Sequence, residues 1–142
     1  MNARRLVIRS AAYAWAAPNS LAGLLAGGVV LLLGGKVRIV AGVAEFSGGS
    51  IAVLCDVLPA SRRFCAITLG HCIVGTSERA LDAVRAHERV HVGQCERWGP
   101  LFVPAYALSS AWQWLRGRRA YRDNAFERQA YAIDGRMPLA KT

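Results

Sequence analysis

Acidic residues are scarce in this chain of 142 residues: 9 aspartates and glutamates stand against 18 lysines and arginines, a net charge of +9. Such an imbalance favours anionic partners, either lipid head groups or nucleic acid. A nucleic-acid motif is missing. The arginines are dispersed, at positions such as Arg9, Arg62, Arg63, Arg116, Arg118, Arg119 and Arg122, and the aromatic residues do not interleave with them as in a stacking platform. An anionic membrane surface is therefore the expected partner, and nucleic acid is not. CxxC pairs are also missing. Cys55, Cys65, Cys72 and Cys95 are all spaced otherwise, which argues against a zinc ribbon or a thioredoxin-type motif. A site from Cys65, His71 and Cys72 is disfavoured because neighbouring strand residues point to opposite faces. Buried reduced thiols are the simpler reading, although an even count leaves disulfides open. There is no internal repeat and no low-complexity segment. With 54% hydrophobic residues the chain can bury a core, and its length suits one domain.

Charge is absent from Ala11 to Leu33, after a basic start with Arg4, Arg5 and Arg9. A membrane-spanning helix needs ~20 apolar residues, so this stretch is long enough for a single anchor. Tyr13 and Trp15 suit an interface. Gly23 and Gly27 match the small-residue helix-packing pattern. Pro18-Asn19-Ser20 interrupts the stretch and predicts a second helix start there. Two rival readings remain: a signal peptide cleaved near Ala41-Gly-Val-Ala44, and the buried helix of a soluble core. Lys36 and Arg38 nearly balance the N-terminal arginines, so only a slight preference for a cytoplasmic N-terminus follows. Residues 1–35 are read as this basic, apolar segment and residues 36–142 as a small α+β domain.

The middle of the chain reads as strands. KVRIVAGVAEF alternates around Val37, Ile39 and Ala41, and SIAVLCDVL and FCAITLGHCIVG are rich in β-branched and apolar residues. Pro59 to Arg63 separates the last two. A small, mainly antiparallel sheet of three or four strands is expected. From Ser77, a plausible N-cap, the period becomes helical: Ala80, Val84, His87, His91, Cys95 and Trp98 fall on one face. Gly99-Pro100 ends that helix. A strongly apolar helix, LFVPAYALSSAWQWL, follows with a bend expected at Pro104 and a stop at Gly117-Arg-Arg. Asp123 or Asn124 starts a last helix, and the tail from Arg136 is expected to fray.

His87-Glu88-Arg89-Val90-His91 is an HExxH pattern. Residues four apart differ by only ~40° around a helix, so both imidazoles can reach one ion, with Glu88 beside them to deprotonate a metal-bound water. The rival is two core histidines on an apolar face. A catalytic zinc wants a third protein ligand and an open position. The bound-histidine extension HExxHxxGxxH is not met, because position 94 is Gln and position 97 is Arg. His71, the remaining histidine, reads as structural. Glu127 is the candidate, 36 residues beyond His91 on the last helix. Asn124-x-x-Glu127 is equally a capping box, in which the glutamate would serve a backbone N–H instead.

Residues 64–134, about half the chain, resemble the gluzincin type of HExxH metallopeptidase, particularly small bacterial membrane-associated zincins. The resemblance rests on His87-Glu88-x-x-His91 and on Asn124-x-x-Glu127-x-x-Ala130. It implies Zn2+ on His87, His91 and Glu127, with Glu88 as general base. It also implies an edge strand, AITLGHCIV, that aligns an extended peptide or protein substrate. Related enzymes often carry an Asp four residues after the third ligand to orient a ligand histidine. Here that position is Tyr131, and Asp134 or Asp123 are the available substitutes. No His or Tyr is assignable to oxyanion stabilisation from the pattern, although Tyr121 and Tyr131 are nearby in sequence. The expectation from the resemblance is a membrane-associated zinc metallopeptidase with a three-helix zincin-like C-terminal part. The alternative is a non-catalytic membrane or scaffold protein, with a structural metal or none.

Overall fold

The computed structural model describes residues 3–56 and 65–135. In chain order the elements are α1 (Ala3–Leu32), β1 (Gly35–Val40), β2 (Val43–Gly48), α2 (Ile51–Asp56), β3 (Ala66–Leu69), β4 (Cys72–Gly75), α3 (Glu78–Trp98), a 3-10 turn (Gly99–Leu101), α4 (Phe102–Leu115) and α5 (Ala125–Asp134). The fold is α+β, as expected: an apolar N-terminal helix, a four-stranded sheet, then helices. The strand order is β1-β2-β4-β3. Pairings β1–β2 and β3–β4 are antiparallel, and the central β2–β4 pairing is parallel.

Turn chemistry explains the hairpins. Ala41 and Gly42 both have positive φ, 45° and 81°, as a two-residue turn matching the strand twist requires. Gly70, at φ 60°, opens a second two-residue turn with His71. FCAITLGHCIVG is therefore a hairpin and not the single strand expected, and of its two strands β3 lies at a sheet edge while β4 is internal. SIAVLCDVL also differs from expectation. Gly48 and Gly49, both at positive φ, turn the chain out of the sheet, and residues 51–56 form helix α2, with Ile51 packed on Val30 and Phe46. Residues 57–58 of that segment, the Pro59–Arg63 separator and the tail from Arg136 lie outside the described residues.

Helix α1 runs through Pro18 without a break, where a second helix start was expected. Pro18 removes one helical N–H, but the adjoining polar residues have tertiary partners that hold the chain. Asn19 Nδ2 donates to Gly99 O at 2.6 Å, and Ser20 Oγ accepts from the backbone N–H of His71 at 3.0 Å. Gly23 and Gly27 do serve close packing, but against the sheet. A Cβ at Gly23 would stand 2.6 Å from Leu69 O, and one at Gly27 would stand 2.5 Å from the Phe46 ring. Val30 is fully buried with Phe46, Cys72 and Val74. The segment Val7–Leu32 is long and apolar enough to cross a membrane.

Ser77 caps α3 by accepting from Ala80 N at 3.1 Å, and Gly99 ends it at φ 54°. Pro104 lies in the first turn of α4, where its missing N–H costs no helical hydrogen bond, so it starts the helix where a bend was expected. Asn124, fully buried, caps α5 and donates to Tyr106 O and Ser110 Oγ, which binds α5 to α4.

Candidate metal centre

Helices α3 and α5 bring three ligating side chains to one point. His87 and His91 sit one turn apart on α3, and Glu127 projects from the first turn of α5. All three are buried, Glu127 to 2% exposure. His87 Nε2 lies 3.0 Å from Glu127 Oε2 and 3.2 Å from His91 Nε2, and His91 Nε2 lies 3.3 Å from Glu127 Oε1. Ligand atoms at the corners of a tetrahedron with bonds of ~2.0–2.1 Å stand about 3.3 Å apart. The three residues thus form a group that can hold a metal ion.

The outer nitrogens decide the tautomers. His87 Nδ1 faces Asp134 Oδ2 at 3.0 Å. His91 Nδ1 faces Gln94 Oε1 at 2.8 Å. The Gln94 amide cannot be turned round, because its Nε2 donates to the backbone carbonyl of Phe126 at 3.0 Å and to Gln129 Oε1. Both Nδ1 atoms therefore carry hydrogen and donate outward. Neutral imidazoles in these tautomers turn bare Nε2 lone pairs onto each other and onto a carboxylate. Only positive charge, a proton or a cation, makes that arrangement favourable. Burial alone would lower the pKa of both histidines, but the hydrogen bonds and charge of Glu127 outweigh it and both are raised. Burial opposes ionisation of Glu127, yet its hydrogen bonds to His87 and His91 bring its pKa down to about 2.

Glu127 does not act as the second half of a capping box. Asn124 Oδ1 accepts from Phe126 N, but the Asn124 N–H goes to Tyr121 O at 3.1 Å, leaving the Glu127 carboxylate to the histidines. Tyr106 of α4 donates to Glu127 Oε1 at 2.8 Å. Glu88 is 6% exposed and accepts from Thr68 Oγ1 of β3 at 2.7 Å. Burial is the largest influence on Glu88 and lifts its pKa, against the pull of Thr68 and the two histidines. A carboxylate with a raised pKa beside a candidate cation site is suited to accept and return a proton.

Of the two aspartates weighed as partners for a ligand histidine, Asp134 takes the place, two helical turns beyond Glu127, whereas Asp123 pairs with Arg119. Tyr131 packs its ring on His87 at 4.6 Å. Thr68, Gln94 and Tyr106 escaped the sequence reading. A signal existed for Gln94, since it follows His91 by three residues on a helix face. Tyr106 carried none, as its position depends on how α4 docks.

His71 stands apart from the metal group. It stacks on Tyr13 at 3.7 Å between ring centroids, donates its backbone N–H to Ser20 Oγ at 3.0 Å, and places Nε2 2.9 Å from Glu96 Oε1. Two cavities, about 220 and 380 Å³, lie around Tyr13 and His71. Cys72 and Cys95 are free and buried, with burial raising both thiol pKa values, and Cys65 is free and exposed. The side chain of Cys55 lies outside the described residues. Compared with known proteins, the chain matches no protein family, no curated protein and no solved structure.

Proposed function

We propose that this protein is a membrane-associated zinc metallopeptidase of the glutamate-type HExxH class. The observation that carries the reading is the convergence of Glu127 with His87 and His91 at 3.0–3.3 Å, with both Nδ1 atoms committed elsewhere. Two imidazoles and one carboxylate suit zinc, with a fourth position left for solvent. Zinc held by these three residues would supply Lewis acidity and would acidify a water. Asp134 and Gln94 hold the imidazoles in register and keep Nε2 free of hydrogen. Glu88 receives the proton of the attacking water at a carboxylate oxygen and passes it to the leaving amine. Thr68 keeps the Glu88 side chain turned to this task.

The edge strand supports a peptide as substrate. Cys65 O accepts from Thr76 N, and the register Ile67↔Val74 and Leu69↔Cys72 continues that pattern toward the turn. The amides and carbonyls of Ala66 and Thr68 are therefore directed away from β4. They make no ladder bond to a described strand and are able to pair with an extended peptide. That strand runs past Glu88, so a peptide added to it lies beside the general base.

One observation favours a structural metal without turnover: His87, His91, Glu88 and Glu127 are all buried to 6% exposure or less. A single pair of variants separates the readings. Metal analysis by mass spectrometry on the purified full chain is expected to give one zinc per chain, lost in Glu127→Ala. Glu88→Gln is expected to retain zinc and lose hydrolysis of a peptide library. Zinc with equal or no hydrolysis in wild type and Glu88→Gln supports the structural metal, and no zinc after purification without chelators removes both readings.

A further inference from the structure

Helices α1 and α4 carry their polarity inside out. On α4, Tyr106, Ser109 and Ser110 face the domain, where they bond Glu127, Ala125 N and Asn124. Its outward face holds Val103, Leu108, Trp112 and Leu115, with Leu108 72% exposed. On α1, the inward face holds Ala16, Asn19, Gly23 and Gly27, small or hydrogen-bonded, together with the core residue Val30, while Leu21, Leu24, Leu25 and Leu32 point outward. Water is a poor solvent for such faces, and a contiguous exposed apolar surface marks an interaction site. Helix α1 meets the 3-10 turn that leads into α4, where Asn19 bonds Gly99 and the Gly99 Cα backs onto the Trp15 ring. The apolar surface extends to the sheet, since Leu21, Leu24 and Ile39 line one groove.

The charges flanking these faces name the partner. Arg4, Arg5 and Arg9 fall in the first turns of α1, and Arg116, Arg118 and Arg119 follow α4. Arg116 lies over the Trp112 ring at 4.5 Å. Tryptophan beside arginine at the end of an apolar helix is the pattern of a membrane interface, aromatic at head-group depth with the cation reaching for phosphate. Length and composition alone would allow α1 to cross the bilayer, but its packing opposes that. Strand β1 returns along α1, from Gly35 beside Val30 to Gly42 beside Tyr13. Arg38 thus stands at the middle of the apolar stretch, paired with Asp82 and half-exposed. Crossing would carry this exposed ion pair into hydrocarbon, where charged side chains are costly.

We propose that α1 and α4 together form a monotopic docking surface for an anionic phospholipid bilayer, with α1 lying in the interface and both chain ends on one side. This rests on packing and charge and is independent of the metal. The test uses the full chain with a peptide tag at each end, added to preformed sealed vesicles of phosphatidylcholine with or without phosphatidylglycerol. Flotation is expected to recover the protein with phosphatidylglycerol vesicles, protease added outside is expected to remove both tags, and shallow brominated lipids are expected to quench tryptophan more than deep ones. Leu25→Glu and Leu108→Glu, exposed positions whose circular dichroism should match wild type, are each expected to weaken partitioning about tenfold or more. One protected tag means that α1 crosses and overturns the proposal. Binding indifferent to both variants overturns it too, as does self-association without vesicle binding, which would assign the face to a second copy.

Discussion

Of the three glutamates buried among the described residues, Glu45 and Glu127 are neutralised in opposite ways. Glu45, 1% exposed on β2, receives Arg85 Nε at 2.8 Å and Arg38 at 3.0 Å, and Asp82 braces both arginines from outside. Its countercharge is built into the chain. Glu127 receives two histidines and a tyrosine, with the carboxyls of Glu88 and Asp134 close by. Three acidic groups there meet two imidazoles that carry no obligatory charge. A buried carboxylate without a partner is costly, so the difference teaches that the first cluster is complete in itself, while the second is a group that a proton or a metal ion can complete.

The sharpest way to break the comparison is to supply or remove that cation. Zinc at a thousandfold excess over its Kd is expected to stabilise the wild type by about 4 kcal/mol, read as a rise in Tm that chelator reverses. His91→Ala should abolish the zinc response, whereas Arg85→Ala should leave it intact. Asp134→Asn is next in size. It keeps the ligands but loosens the His87 tautomer, and isothermal titration should show zinc affinity lowered about 10–100-fold. Arg85→Ala strikes the self-contained cluster and should cost about 1–2 kcal/mol in denaturant unfolding, with or without zinc, since Arg38 remains and solvent screens the pair. The smallest effect is the pH dependence of Glu45. Burial raises its pKa, but the hydrogen bonds of Arg85 and Arg38 outweigh that and hold it below the ordinary carboxylate value. A depressed folded pKa gives stability that is present above the unfolded value and lost as pH falls through the folded one. The gap in Tm between wild type and Glu45→Gln should therefore be widest near neutrality and close in acid.

Local chemistry made much of this legible in the sequence. Ser77, Gly99 and Asn124 mark helix ends through side-chain caps and positive φ, and each acts where its residue type placed it. The HExxH spacing lies on a helix, and the candidate third ligand meets it. What escaped depends on contacts distant in sequence. Pro18 reads as a break until Gly99 is there to accept from Asn19. SIAVLCDVL reads as a strand because β-branched composition does not reveal that two glycines have already turned the chain away. The single run AITLGHCIV hides a hairpin because Gly70 is needed for its close approach to Ser20 of α1. Tyr106 and Thr68 reach the centre from elements whose docking no local pattern specifies.

The bonds between α4 and α5 give the centre a mechanical attachment. Tyr106 holds Glu127 Oε1, Asn124 holds Tyr106 O and Ser110, and Ser109 holds the first amide of α5. A pull on α4 along its exposed side loads these bonds before any other part of the ligand helix, and the first side chain to feel it is Glu127. The apolar helix is thereby a lever arm whose short end rests on a buried carboxylate, so that a displacement of its exposed face is passed to the interior through the Tyr106 hydroxyl.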